Sequence, residues 1–226
     1  MNSPILNRHT GNGTISPITI SWSDTCARWT GRQRSVTNGQ SEHQRLIRRI
    51  LRVNHAGECG AVHIYASQSK RAHQDFPDLK DWLEQTLDHE MTHRSRFLNA
   101  MPERGAKPCR LLSVWRWGGA LLGSITSLTG RQGVLACTAA VERTVHRHLD
   151  EQINFLVRHD IALAGLISEI QKDEIEHLAH AENQLASLSF YDRLLSTAIS
   201  VATETLIFVS TRGDSLFLSQ KLKANI

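Results

Sequence analysis

The chain has 226 residues, 40% hydrophobic and 21% charged, enough to bury one domain-sized core and unlike a disordered chain. With 14 Gly, 5 Pro and 4 Cys it is not collagen-like, low-complexity or a disulfide scaffold. Its formal charge of +4 suits an anionic surface and is too small to argue for a nucleic-acid partner.

Residues 1–40 are rich in Ser, Thr, Gly and Asn and hold no sustained hydrophobic period. They read as a flexible N-terminal extension. An Arg-bearing, acid-poor start also weakly resembles an organelle targeting segment, but without its amphipathic helix. From Ser41 the texture becomes helical. The expected domain is 41–210, followed by a tail over 211–226. Helices are predicted over 42–73, 78–101, 111–128, 131–158, 161–188 and 191–210, with Pro77, Pro102, Gly130 and Asp160 near their limits. No stretch has strand periodicity, so the fold class is all-α.

Arg45, Arg48, Arg49 and Arg52 fall on one face of the first helix. They read either as a solvated basic stripe or as a contact for lipid headgroups. Cys26, Cys59, Cys109 and Cys137 lack metal-like spacing and are expected to be free thiols. No transmembrane helix stands out: the longest uncharged stretch near the middle, Trp117–Gly130, falls short of the roughly 20 apolar residues a span needs.

The apolar stripes of four helices are interrupted by acids. Glu58, Glu90, Glu142 and Glu174 stand where leucines would be expected, and so do His93 and His177. Burying an isolated carboxylate costs several kcal/mol (~3 or more), so something must offset four of them. The spacing supplies an answer. Glu58/Glu142, Glu90/Glu174 and His93/His177 are all 84 positions apart, an internal repeat. Each half is a Glu helix followed by a Glu-x-x-His helix, and two such halves make the ligand set of a dimetal carboxylate bundle. Four carboxylates balance two divalent cations. Carboxylate and imidazole donors suit iron or manganese.

At these residues the chain resembles the demethoxyubiquinone hydroxylases of ubiquinone biosynthesis. The first-helix run Leu51-Arg-Val-Asn-His-Ala-Gly-Glu58, with Gly60-Ala-Val, Ile64-Tyr65 and Gln68, carries the likeness. So do Ala136-Cys-Thr-Ala-Ala-Val-Glu142 and Asp173-Glu-Ile-Glu-His177, in order. The resemblance spans about 46–210. It implies a ferritin-like four-helix bundle with an internal two-fold repeat and additional membrane-facing helices. It implies two iron ions per chain on Glu58, Glu90, His93, Glu142, Glu174 and His177, with Glu58 or Glu142 as the bridge. It further implies hydroxylation of a polyprenylated demethoxy-quinol by O2 and peripheral attachment to an inner membrane, at the cytoplasmic face in a bacterium or the matrix side in a mitochondrion. A lipid-binding accessory protein or a second copy of the chain are open partners.

Where the family often has Asp, Tyr, an acid and Tyr, this chain has Asn54, Cys59, Arg143 and Leu149. These departures bear on hydrogen bonding and proton delivery around the metals, not on the ligands. His148 is kept. Tyr65, a packed aromatic or a hydrogen-bonding and redox group, and His148 are the candidate catalytic residues beyond the ligands. His146 and His55 could assist or simply lie at the edge. Residues 111–128, with Gly118, Gly119, Ala120 and Gly123, read as a quinone entrance or as a fifth core helix. An iron-storing or peroxide-handling ferritin-like protein shares the ligand set, and a non-catalytic adaptor with a structural metal is the third reading.

Overall fold

The computed structural model describes the backbone of residues 22–186 and 190–215, and the side chains of 41–186 and 193–215. Its elements are α1 (Trp22–Asp75), α2 (Lys80–Asn99), α3 (Leu112–Leu128), α4 (Arg131–Leu156), α5 (Ile161–Gln184) and α6 (Phe190–Thr211). No strand occurs among the described residues. The fold is the expected all-α, ferritin-like bundle. Helix α1 starts twenty residues earlier than predicted, at Trp22. Residues 22–40 contain no proline, so nothing in them forbids a helix, and their lack of apolar period hid it.

The chain divides into two units, Met1–Ser41 and Glu42–Ile226, and the bundle belongs to the second. Its breaks obey local chemistry. Pro77 opens a single 3-10 turn after α1, and Pro102 opens another after α2, closed by Gly105 at φ 59°. Asp160 caps α5, its carboxylate accepting the Leu163 amide at 3.0 Å.

Two apolar clusters bracket the helices' middles. One joins Leu46, Ile50 and Leu51 of α1 with Phe97 of α2, Leu149 and Leu156 of α4, and Leu163, Ile167 and Ile170 of α5. The other joins Tyr65 and Ala72 of α1 with Leu83 of α2, Val134, Leu135 and Ala139 of α4, and Ala181 of α5. Following residue numbers from one cluster to the other, α1 and α5 run one way and α2 and α4 the opposite way. Helix α2 therefore ends at the cluster opposite to the one where α4 begins. Helix α3 is the crossover between them, a connection that ferritin-like bundles use.

The crossover lies close on α1 because two glycines permit it. A Cβ at Gly119 would meet the Gly60 carbonyl oxygen at 2.2 Å, and one at Gly123 would meet that of Ile64 at 2.3 Å. Gly118 has open space around it and plays no such part. Helix α3 is thus buried on one side, with Trp115, Gly119, Gly123 and Thr126, and exposed on the other at Val114, Trp117, Leu121, Ile125 and Leu128.

Helix α6 departs from the sequence reading. Arg193–Thr211 is long and apolar enough, by length and composition alone, to cross a membrane. Here it lies on the bundle. Ile199 is buried among Ile64, Cys137, Ala140 and Val141, and Ile207 among Val53, Ala56, Cys109 and Trp115. Cys59, Cys109 and Cys137 are free and buried, whereas the side chain of Cys26 lies outside the described residues.

Candidate metal centre

Between the two apolar clusters, α1 contributes Glu58, α2 Glu90 and His93, α4 Glu142, and α5 Glu174 and His177. All six are at most 7% exposed. Their donor atoms form two groups, each within 4.8 Å: Glu58, Glu90, His93 and Glu174, and Glu90, Glu142, Glu174 and His177. Glu90 and Glu174 belong to both. Glu58 and Glu142, one or other of which the resemblance offered as the bridge, each belong to one group.

The distances agree with this. His93 Nδ1 lies 3.1 Å from Glu174 Oε1 and 3.9 Å from Glu58 Oε2. His177 Nδ1 lies 3.3 Å from Glu174 Oε2 and 3.5 Å from Glu90 Oε1. Both imidazoles turn Nδ1 to the carboxylates. Their other nitrogens are held from behind: His93 Nε2 is 2.9 Å from Asp173 Oδ2, and His177 Nε2 is 3.0 Å from His89 Nδ1. Such partners fix the orientation of a ligating imidazole.

The sequence reading missed Asp173 and His89. The signal was present, because each immediately precedes a Glu-x-x-His glutamate, and the two are themselves 84 positions apart.

Gathering four carboxylates in a buried site shifts their protonation. Burial, reinforced by the Glu174 charge, raises the Glu58 carboxyl to about 7. The same two causes lift Glu90 and Glu142 well above the carboxylate range. Burial opposes the His93 cation, but the hydrogen bond to Glu174 and the Glu58 charge overcome it and carry His93 to about 9. Glu174 is likewise opposed by burial, yet His177 and His93 hold it below the usual range. Glu90 Oε1 has no hydrogen-bond partner. A buried set of four carboxylates and two imidazoles, with an orphaned carboxylate oxygen at its centre, fits hard divalent cations such as iron.

Tyr65 donates to Glu142 Oε1 at 2.6 Å and is fully buried in the core. Its equivalent in the repeat is Leu149, which places no phenol beside Glu58. Leu149 instead lines an apolar cavity of about 340 Å³. That cavity runs between α1, α3, α4 and α6 and ends on Glu58, Glu90, Glu142 and Glu174. It therefore meets the carboxylates, and neither His93 nor His177 lines it. Asn54 and Gln152 line it as a reciprocal amide pair, at 2.7 and 3.1 Å.

His148 also lines it, its Nε2 3.0 Å from Glu204 Oε2. Burial, aided by neighbouring Arg147, lowers His148 to about 4. Arg147 pairs with the same Glu204, which leaves that carboxylate less able to hold a second cation. His146 turns away to Gln171 and Asp150, and Arg143 to Glu182. His55 is buried beside Cys59.

The family model of Ubiquinone biosynthesis protein COQ7 matches residues 45–210. The NADPH-dependent 3-demethoxyubiquinone 3-hydroxylase of Mus musculus is 32% identical over 170 residues, which cover 74% of this chain and 77% of that protein. The 3-demethoxyubiquinol 3-hydroxylase of Rhodospirillum rubrum is 30% identical over 216 residues, 94% of this chain and 100% of that one. The mitochondrial 5-demethoxyubiquinone hydroxylase of Saccharomyces cerevisiae is 32% identical over 148 residues, 59% of this chain and 64% of that protein.

Proposed function

Since the chain belongs to the Ubiquinone biosynthesis protein COQ7 family, we propose that it is a 3-demethoxyubiquinol 3-hydroxylase using O2 at a di-iron centre. One observation carries the reading: an apolar cavity ends on the carboxylate side of the buried donor cluster. A storage or peroxide-handling protein has no need of a route sized for a lipid-like ring.

In this reading Glu58, Glu90, His93, Glu142, Glu174 and His177 would hold the two irons, with Glu90 and Glu174 common to both donor groups. Bound iron supplies the electrons' path to O2, which the protein's side chains cannot provide. The overall change is balanced when one oxygen atom enters the ring C–H bond and the other leaves as water. Two electrons and two protons come from a reductant, and the mouse relative is named for NADPH.

The chain's own residues seat the ring. Val53, Ile64, Leu122, Val141, Leu149 and Ile199 give it an apolar sleeve and exclude water. The Asn54–Gln152 amides offer hydrogen bonds to ring oxygens. His148, held neutral at physiological pH by its burial, offers a ring nitrogen as hydrogen-bond partner to a quinol hydroxyl. Tyr65, which does not line the cavity, positions Glu142.

The polyprenyl tail resides in lipid, so the cavity must open to a bilayer. The exposed apolar rows of α3 and α6 provide that face, with Trp117 at 78% and Leu194 at 59% exposed. The chain then sits peripherally on an inner membrane, bacterial or mitochondrial.

The test is a mass-spectrometric quinone profile in a host lacking its own hydroxylase. The native chain is expected to clear the demethoxy precursor, and Glu142→Ala to leave it while the helices stay folded. If the native chain holds two irons and the precursor persists, the substrate assignment is wrong.

A further inference from the structure

A second concavity, about 710 Å³, lies where Arg45–Arg52 of α1, the loop before α3 and the end of α6 meet. Its walls are cationic. Two arginines fasten it together. Arg52 Nε donates to the Lys107 carbonyl at 3.2 Å, tying the loop to α1. Arg49 donates to the Thr211 carbonyl at 3.2 Å and pairs with Asp214, tying the end of α6 to α1. Asp214 also lies 4.0 Å from Arg45, so one carboxylate serves two guanidinium groups.

The rest of the charge is unspent. Arg48, Lys107, Arg110 and Arg212 line the cleft and make no side-chain hydrogen bond or ion pair among the described residues. Arg212 sits there in left-handed backbone, φ 55°, a place normally given to Gly or Asn. Four uncompensated cations around one concavity, on a preformed scaffold, make an anion site with the charge and donor set that phosphate requires.

Its position decides among phosphate sources. Helix α3 begins at the cleft and α6 ends there, so the exposed Val114 and Trp117 on one side and Phe208 and Val209 on the other rise from its rim. A hydrogen bond from Trp115 Nε1 to Ser210 Oγ, at 3.0 Å, joins a residue lining the apolar cavity to one lining the cleft. Apolar side chains beside a cationic cleft match a bilayer's acyl region beside its phosphates.

We propose that this cleft is a phosphodiester-binding site that seats the headgroups of anionic phospholipids and so fixes the cavity mouth against the bilayer. The inference rests on the membrane placement given under Proposed function.

The experiment is vesicle co-sedimentation of the full chain, with phosphatidylcholine alone or with added phosphatidylglycerol. The native chain is expected to prefer the anionic vesicles and to lose that preference in high salt. Arg48→Gln/Arg110→Gln/Arg212→Gln is expected to bind anionic vesicles on the order of 100-fold more weakly, from about fivefold per cation. It should bind phosphatidylcholine unchanged and keep native hydroxylation of a short-chain quinol in solution. Trp117→Ser should weaken binding to both vesicle types alike.

Equal binding of native and triple variant to anionic vesicles overturns the proposal. So does titration of native protein with glycerol phosphate if it binds tightly and vesicles do not displace it, which would give the cleft to a soluble phosphate. Failure of the hydroxylase reading would show separately, as absent short-chain turnover with the vesicle difference intact.

Discussion

Asp173 holds the back of His93 at 2.9 Å, although the two residues come from opposite halves of the internal repeat. His89 does the same for His177 in the other direction, at 3.0 Å. Each Glu-x-x-His helix therefore supplies its own ligands and the support for the other helix's imidazole. The two halves thus interlock through the orientation of the donor side chains.

This crossed support makes a prediction about metal retention. Asp173→Ala should leave the helices intact, because Asp173 is itself half-exposed and not part of the core. It should weaken iron binding by roughly 10–100-fold, the usual cost of losing a hydrogen-bonding partner of a ligating histidine. Iron per chain after a graded chelator challenge measures it. Native retention in Asp173→Ala would show that Asp173 does not orient His93.

Tyr65→Phe tests the phenol behind Glu142. The ring keeps its packing and the 2.6 Å donor is lost. In the metal-free protein, leaving a buried acceptor without its partner should cost about 1–3 kcal/mol in denaturant unfolding. With iron bound the loss should be smaller, because the metal then holds the carboxylate. An equal loss with and without iron would place the phenol's effect in packing alone.

How far these features could be read from the chain depends on whether they lie along a helix or between helices. Glu58, Glu90, Glu142 and Glu174 announce themselves because each interrupts an apolar stripe on its own helix. The repeat of 84 positions then pairs them without knowledge of the fold. Which carboxylates are shared did not follow, since the repeat makes Glu58 equivalent to Glu142 and Glu90 to Glu174 and ranks neither pair. That choice is made by the angle at which helices face one another. Asp173 and His89 escaped for the same reason: their partners lie on a neighbouring helix. The amide pair Asn54–Gln152 links α1 to α4 across 98 positions with no shared period. Helix α6, with few charges and apolar residues on most sides, gave no hint that one side would wall the cavity.

The close crossing of α3 over α1 predicts opposite outcomes at adjacent glycines. Gly119→Ala would drive a Cβ to 2.2 Å from the Gly60 carbonyl oxygen, where backbone cannot yield cheaply. It should destabilise by about 1–3 kcal/mol, as overpacking does, and loosen the cavity wall. Gly118→Ala meets nothing within 4 Å and should be neutral or gain up to about 1 kcal/mol of helix propensity. Thermal unfolding of the two variants side by side decides it. Equal melting temperatures would mean that α3 does not lie this close to α1.

Asp160 combines two roles that substitution and pH can separate. It caps α5 through the Leu163 amide at 3.0 Å, and it receives Arg104 through two bonds, at 2.6 and 3.0 Å. The Arg104 guanidinium and the cap amide hold its carboxyl below the usual range, against partial burial. Asp160→Asn keeps a capping oxygen and removes the charge, and should cost about 1 kcal/mol for this partly screened pair. Asp160→Ala removes both and should cost about 2 kcal/mol. A carboxylate whose folded pKa is depressed contributes stability that is complete above its unfolded value, about 4, and lost as pH falls toward the folded one. The gap between native protein and Asp160→Asn should therefore be constant from pH 7 to about 5 and close below about 4. Urea midpoints across that range measure it, and a gap that persists at pH 2.5 would show that the ion pair is not its source.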